Sequence, residues 1–245
     1  MVQIVHHNVI NKNPKDTYSH TIIDSASGCE NLIQSILYLK NKSIILNKST
    51  KSQKIGYVLN GEISLTIKNN ISSKELILSE GFAFLIPEKI ECEVTNIAFD
   101  HSTLLIIKSP QTESHKLKKA KVEKQSEILP FVDKNKQTNL PAGEDRYFKL
   151  LIDPEYGSKY VTQFLGFIKK IKAPFHEHTY EEVIFIIKGE GIIHYGEKQE
   201  KIKEGTSIYL PPGTIHRLEN KHDTNELELL GVFCPAGSPA DKNER

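Results

Sequence analysis

Between residues 55 and 110 short apolar runs alternate with turn signals: IGYVL, Asn60-Gly61, ISLTI, Asn69-Asn70, ELIL, Glu80-Gly81, and FAFLI ahead of Pro87. Runs rich in β-branched and aromatic residues, punctuated every 8 to 12 residues or so by Gly, Asn or Pro, mark short antiparallel strands joined by tight turns. The rhythm returns between 160 and 235 in YVTQFLGFI, EVIFII, GIIHY, TSIYL and LELLGVF. Gly189, Gly191, Gly196, Gly205, Pro211-Pro212 and Gly213 punctuate that second block. No long stretch repeats its apolar residues at helical spacing, so the pattern predicts an all-β chain.

The two blocks also resemble each other. Asn60-Gly61-Glu62 is matched 128 positions later by Lys188-Gly189-Glu190, and Gly81, Pro87 and Asn96 are matched 124 positions later by Gly205, Pro211 and Asn220. A longer hairpin around Asn69 to Lys74 absorbs the difference. A repeat of this length implies two tandem β-barrels of one type. The expected boundaries are a first barrel over 1–112, a linker over 113–140 and a second barrel over 141–245. The linker is rich in Lys, Glu and Gln and poor in aromatics. Its basic run from Lys116 to Lys124 lacks the aromatic platform of a nucleic-acid groove, and is expected to be a solvated connection with a short helix.

Composition narrows the function classes. The 245 residues are 38% hydrophobic and 26% charged, as in a soluble globular protein. With 32 basic and 31 acidic residues the formal charge is +1, which gives no reason to expect a nucleic acid or an anionic membrane as partner. The first residues, MVQIVHHNVINKNPKD, lack a secretory pattern, and runs such as VIFII are far too short to span a bilayer. Cys29, Cys92 and Cys234 are odd in number, widely spaced and form no CxxC pair, which argues against a disulfide framework or a thiolate metal site. A reduced, cytoplasmic protein is the expectation.

The chemistry concentrates in PFHEHTYEEVIFIIKGEG of the second block. His176 and His178 are two apart, so in a strand both imidazoles project from one face, roughly 7 Å apart along the chain. Glu182 rejoins them if the chain bends near Thr179. Two imidazoles and a carboxylate suit Fe(II), Mn(II), Zn(II) or Ni(II). Further on, GTSIYLPPGTIHRLEN carries a Pro-Pro-Gly turn that reverses the chain and lets a neighbouring strand supply a third imidazole, His216. Glu181 competes with Glu182, but spacing prefers Glu182 and leaves Glu181 facing solvent. His194, Tyr195, Tyr209 and Tyr180 are read as packing or surface residues.

Taken together, His-x-His-x3-Glu-x6-Gly at His176, His178, Glu182 and Gly189, followed by Gly-x5-Pro-x-Gly-x2-His-x3-Asn at Gly205, Pro211, Gly213, His216 and Asn220, resembles the two motifs of the cupin superfamily. One departure is that Lys170 stands where the first motif has its leading glycine. The resemblance covers roughly residues 40 to 235 and implies two jelly-roll barrels, a bicupin. It places one divalent metal in the mouth of the second barrel on His176, His178, Glu182 and His216. Laid on the first block, the template puts Lys48, Thr50, Lys54 and Cys92 at the ligand positions, which implies a metal-free barrel with a structural role.

Cupins with this ligand quartet include dioxygenases, decarboxylases, sugar isomerases and simple binders. The resemblance therefore implies a metal-dependent enzyme acting on a small oxygenated metabolite, dioxygenase first and isomerase or lyase next, with Glu182 as the candidate catalytic residue. The alternative is a non-catalytic, metal-dependent small-molecule binding or sensing protein. The layout also resembles that of ureidoglycine aminohydrolases, whose metal set differs, so that activity is not carried over. A monomer and a homodimer both fit the two-barrel layout, and the same resemblance favours the homodimer.

Overall fold

A computed structural model of the chain describes residues 1–7, 14–40, 43–47, 50–68, 73–112, 117, 119–122, 131–143, 146–169, 173–222, 224–240 and 243–244. Their regular structure is almost entirely β, with single 3-10 turns at Ser25–Ser27 and Lys134–Lys136. Lys48, Lys170, Asn69-Asn70 and most of the basic run from Lys116 lie outside the described residues.

The strands form two jelly-roll barrels, each a larger and a smaller antiparallel sheet. In the first barrel Gln53–Asn60 lies between Phe82–Ile86 and Ser102–Ser109. In the second Glu181–Lys188 lies between Thr206–Leu210 and Leu227–Cys234. These are the same strands of the repeat seen in sequence, and the turns that follow them obey it too. Gly61 and Gly189 take φ of 86° and 92°, a left-handed conformation that glycine adopts without the Cβ penalty.

The motif asparagines are structural. Asn220 Nδ2 donates to the carbonyls of Ile168 at 2.9 Å and Asn225 at 2.7 Å, while its Oδ1 accepts from His222 N at 3.0 Å. In the first barrel Asn96 Nδ2 donates to Lys40 O at 2.9 Å and Ala98 O at 3.2 Å, and its Oδ1 accepts from Ala98 N. Each staples the turn that leaves its strand, by satisfying backbone groups that would otherwise be buried unpaired.

Period two explains how the barrels meet. On Glu181–Lys188, Ile184 and Ile186 point into the second barrel, whereas Val183 and Phe185 point outward. On Gln53–Asn60, Val58 points into the first barrel, whereas Ile55, Tyr57 and Leu59 point outward. The outward sets are buried against each other in a shared core that includes Tyr57, Phe185 and Tyr209. Each large side chain so buried contributes roughly 1.5–3 kcal/mol of hydrophobic stabilisation. Both faces of these strands are covered, which is why they read as continuous apolar runs.

Some elements lie beyond the expected pattern. Tyr18–Ile23 and Ile33–Leu39 extend the first large sheet, ahead of residue 55 where the alternating pattern begins. Gln3–His6, inside the expected first-barrel segment, pairs with Thr206–Tyr209 of the second barrel. Phe131–Asp133, inside the expected linker, pairs with Phe82–Phe84 of the first. In both cases a short, half-polar segment covers a sheet edge and satisfies its backbone groups, which composition does not register. No helix among the described residues is long and apolar enough to cross a membrane.

Candidate metal centre

His176 and His178 flank Glu177 on the short His176–Glu177 strand and the bend that follows it. His176 is the direct cross-strand partner of His216 on His216–Asn220. The chain then turns through Thr179 and Tyr180 into Glu181–Lys188, whose second residue is Glu182. One ligand atom from each of His176, His178 and His216 lies within 4.8 Å of the others. Glu182 Oε2 sits 3.5 Å from His216 Nε2 and 3.7 Å from His178 Nε2. The four sequence-predicted residues are thus gathered at one end of the second barrel.

Their surroundings fit a cation. His176 Nδ1 lies 3.0 Å from Pro174 O, and His216 Nδ1 lies 2.9 Å from Thr214 O. A carbonyl only accepts, so each Nδ1 carries the proton and each Nε2 keeps its lone pair, as metal-binding imidazoles require. The Tyr180 ring stacks on His178, with centroids 4.9 Å apart and planes at 12°, and its hydroxyl donates to Ser238 O at 3.0 Å. Glu182 is 4% exposed, and its Oε2 has no hydrogen-bond partner among the described residues. Such an orphaned acceptor facing imidazoles is the signature of a missing positive charge.

Burial pushes the Glu182 carboxyl up to about 8. It pulls His216 down to about 3, helped by His176 and His178 and opposed by the bond to Thr214. At pH 7 the metal-free site therefore holds a protonated carboxyl and a neutral His216. A divalent ion held there would need the carboxylate, so its uptake below about pH 8 would release the Glu182 proton and none from His216. Calorimetric metal titrations at pH 7 in buffers of different ionisation enthalpy are expected to report about one proton released per ion. Affinity should rise with pH up to about 8 and then level off.

Glu181 corrects the sequence reading. It is not solvent-facing but 3% exposed, because the outer face of its strand is covered by the first barrel. Its carboxylate accepts from Glu30 N at 2.6 Å, Asn31 N at 3.0 Å, Asn31 Nδ2 at 2.9 Å and the Tyr209 hydroxyl at 2.9 Å. Alternation sends Glu182 inward to the imidazoles and Glu181 outward to the other barrel. Tyr209 accordingly belongs to the inter-barrel core, and His194 pairs with Glu219 at 2.8 Å.

The pocket around the triad encloses about 90 Å³, with walls that include Phe148, Phe164, Leu229 and Phe233. Arg146, on Arg146–Ile152, is the one arginine or lysine in its lining among the described residues. It was missed because it lies outside both motifs, and nothing local marks it. A larger groove of about 590 Å³, lined by His6, Glu190, Lys201 and Lys221, holds none of the triad. In the first barrel Thr50 donates to Ser52 O, Lys54 is partly buried and Cys92 is a buried thiol. The His176, His178 and His216 cluster is the one metal-type group of three or more among the described residues.

The family model for the cupin domain matches residues 169–233, the segment that carries all four candidate ligands. Residues 169–233 are thus a cupin domain. Among curated relatives, an uncharacterized protein of Aquifex aeolicus is 36% identical over 78 residues, which are 31% of this chain and 61% of that one. An uncharacterized protein of Methanocaldococcus jannaschii is 38% identical over 71 residues, 29% of this chain and 56% of that one. The chain thus spans less than two thirds of the length of these relatives.

Solved structures similar to the whole chain include oxalate decarboxylase of Bacillus subtilis, with a TM-score of 0.75 at 14% identity over 98% of this chain and 78% of that one. One study of that decarboxylase concerns its Mn(II) centres. The protein Ylba from E. coli gives a TM-score of 0.73 at 12% identity over 98% and 92% of the two chains. At such identity these likenesses establish the two-barrel fold and no more.

Proposed function

We propose that this bicupin is a metal-dependent enzyme acting on a small oxygenated metabolite that carries an anionic group, at the C-terminal site of His176, His178, Glu182 and His216. The observation that carries the reading is three converging imidazoles with a buried carboxylate 3.5 Å and 3.7 Å from two of them. A divalent ion bound there would supply Lewis acidity or redox capacity toward the substrate. Arg146 anchors the substrate anion, since it is the one arginine or lysine in the lining among the described residues. The phenylalanine walls exclude bulk water, and Glu182 holds or returns a proton at its carboxylate. Dioxygenase chemistry with Fe(II) is the first reaction to assay, then isomerase or lyase chemistry with Mn(II) or Zn(II).

The test is turnover. Protein loaded with each metal is offered diketones, catechols, keto acids and sugars, and oxygen uptake and products are followed. Turnover of one substrate class is expected, with Arg146→Ala raising KM about tenfold and changing kcat less. Metal-loaded protein that converts nothing would contradict the enzyme. A non-catalytic metal-dependent binding or sensing module would then stand in its place, a reading that the small cavity of about 90 Å³ favours.

A further inference from the structure

The first barrel lacks the imidazole cluster, yet it keeps a cavity at its mouth. The space is about 230 Å³ and is lined by Lys54, Lys108, Ser35 and an apolar wall that includes Ile33, Ile44 and Ile106. Lys54 stands 128 positions before Glu182, so the repeat inverts the charge at the place where the second barrel has its carboxylate. Lys108 is the direct cross-strand partner of Lys54, so both side chains rise from the same face.

Each lysine gives one N–H to a backbone carbonyl, Lys54 to Leu46 and Lys108 to Gln111 at 2.8 Å. An ammonium has three donors, so among the described residues two remain on each. Burial holds Lys54 below the ordinary lysine range, and Lys108 adds to the effect. Cys92 also acts on Lys54, but burial pushes that thiol up to about 12, so it stays neutral. No carboxylate of the described residues acts on Lys54. Two neighbouring, partly desolvated ammonium groups are costly without an anion between them.

We propose that the mouth of the first barrel is a binding site for a small aliphatic carboxylate. Lys54 and Lys108 hold its two oxygens, and its tail lies on Ile33, Ile44 and Ile106. A phosphate fits less well, because beyond the two lysines, Ser19 and Ser35 the isoleucine wall offers its oxygens no donors. The site does not depend on the metal centre of the second barrel.

The experiment titrates isovalerate into the full-length protein and follows side-chain methyl signals by NMR. Isoamyl alcohol serves as the neutral isostere and inorganic phosphate as the competing anion. Saturable shifts are expected at Ile33, Ile44 and Ile106 with isovalerate and not with the alcohol. Lys54→Met and Lys108→Met are each expected to weaken binding about tenfold or more, whereas Lys54→Arg retains it. Absence of saturable shifts, shifts confined to Ile184 and Leu229 of the metal pocket, or equal shifts with the alcohol would overturn the proposal. So would phosphate binding tighter than isovalerate, or unchanged affinity in both methionine variants. If Lys54→Met loses its fold, the wild-type methyl map and Lys108→Met decide.

Discussion

His216→Ala is expected to weaken divalent-metal binding by about a hundredfold or more while the protein stays folded. Structural zinc sites with four ligands bind with about 10–16 kcal/mol, so one ligand accounts for about 3 kcal/mol. His216 is the cross-strand partner of His176 and lies 3.5 Å from Glu182, so its loss opens the middle of the cluster. The fold should tolerate it, because the first barrel is built with Cys92 at the matching position and no imidazole cluster among its described residues. Competition with a chromophoric chelator measures the affinity, and circular dichroism checks the fold. Wild-type affinity in the variant would remove His216 from the site.

Glu181→Ala is expected to do the reverse, costing about 4 kcal/mol of stability while metal binding persists. The buried carboxylate collects donors from Glu30, Asn31 and Tyr209, and alanine leaves those donors buried and unpaired. Removing one partner of a buried charged network typically costs about 3–5 kcal/mol. For a chain of this size that corresponds to a melting temperature lower by about 10 °C. Because the carboxylate joins the Cys29–Asn31 loop to the second barrel, both barrels should melt at the lowered temperature. Glu190→Gln is the control: Glu190 is exposed and pairs with His222 at the surface, where substitutions cost about 0.5 kcal/mol or less. A Glu181 variant as stable as that control would show that the carboxylate does not hold the barrels together.

The contrast between these neighbours shows what the sequence makes legible. Ligand positions on two short strands follow from local spacing, so His176, His178, Glu182 and His216 could be named, and the structure gathers them. The bend at Thr179 and Tyr180 that the spacing required is present. The environment of Glu181 depends on what covers the outer face of its strand, and that cover is a barrel more than 100 residues away in sequence. Edge strands are opaque for the same reason. Gln3–His6 and Phe131–Asp133 have weak patterns of their own and are defined by the strands they pair with. Arg146 reaches the pocket from a strand that neither motif includes. The inverted charge at Lys54 was visible as a missing ligand, but its pairing with Lys108 needed the register.

A single divalent-metal centre is expected in the second barrel, on His176, His178, Glu182 and His216. Its most direct test is elemental analysis of the purified full-length protein beside His176→Ala, both loaded with metal and then desalted. About one ion per chain is expected in the wild type, with a stoichiometry far below that in the variant. A wild-type value far below one, or equal values in both proteins, would contradict it.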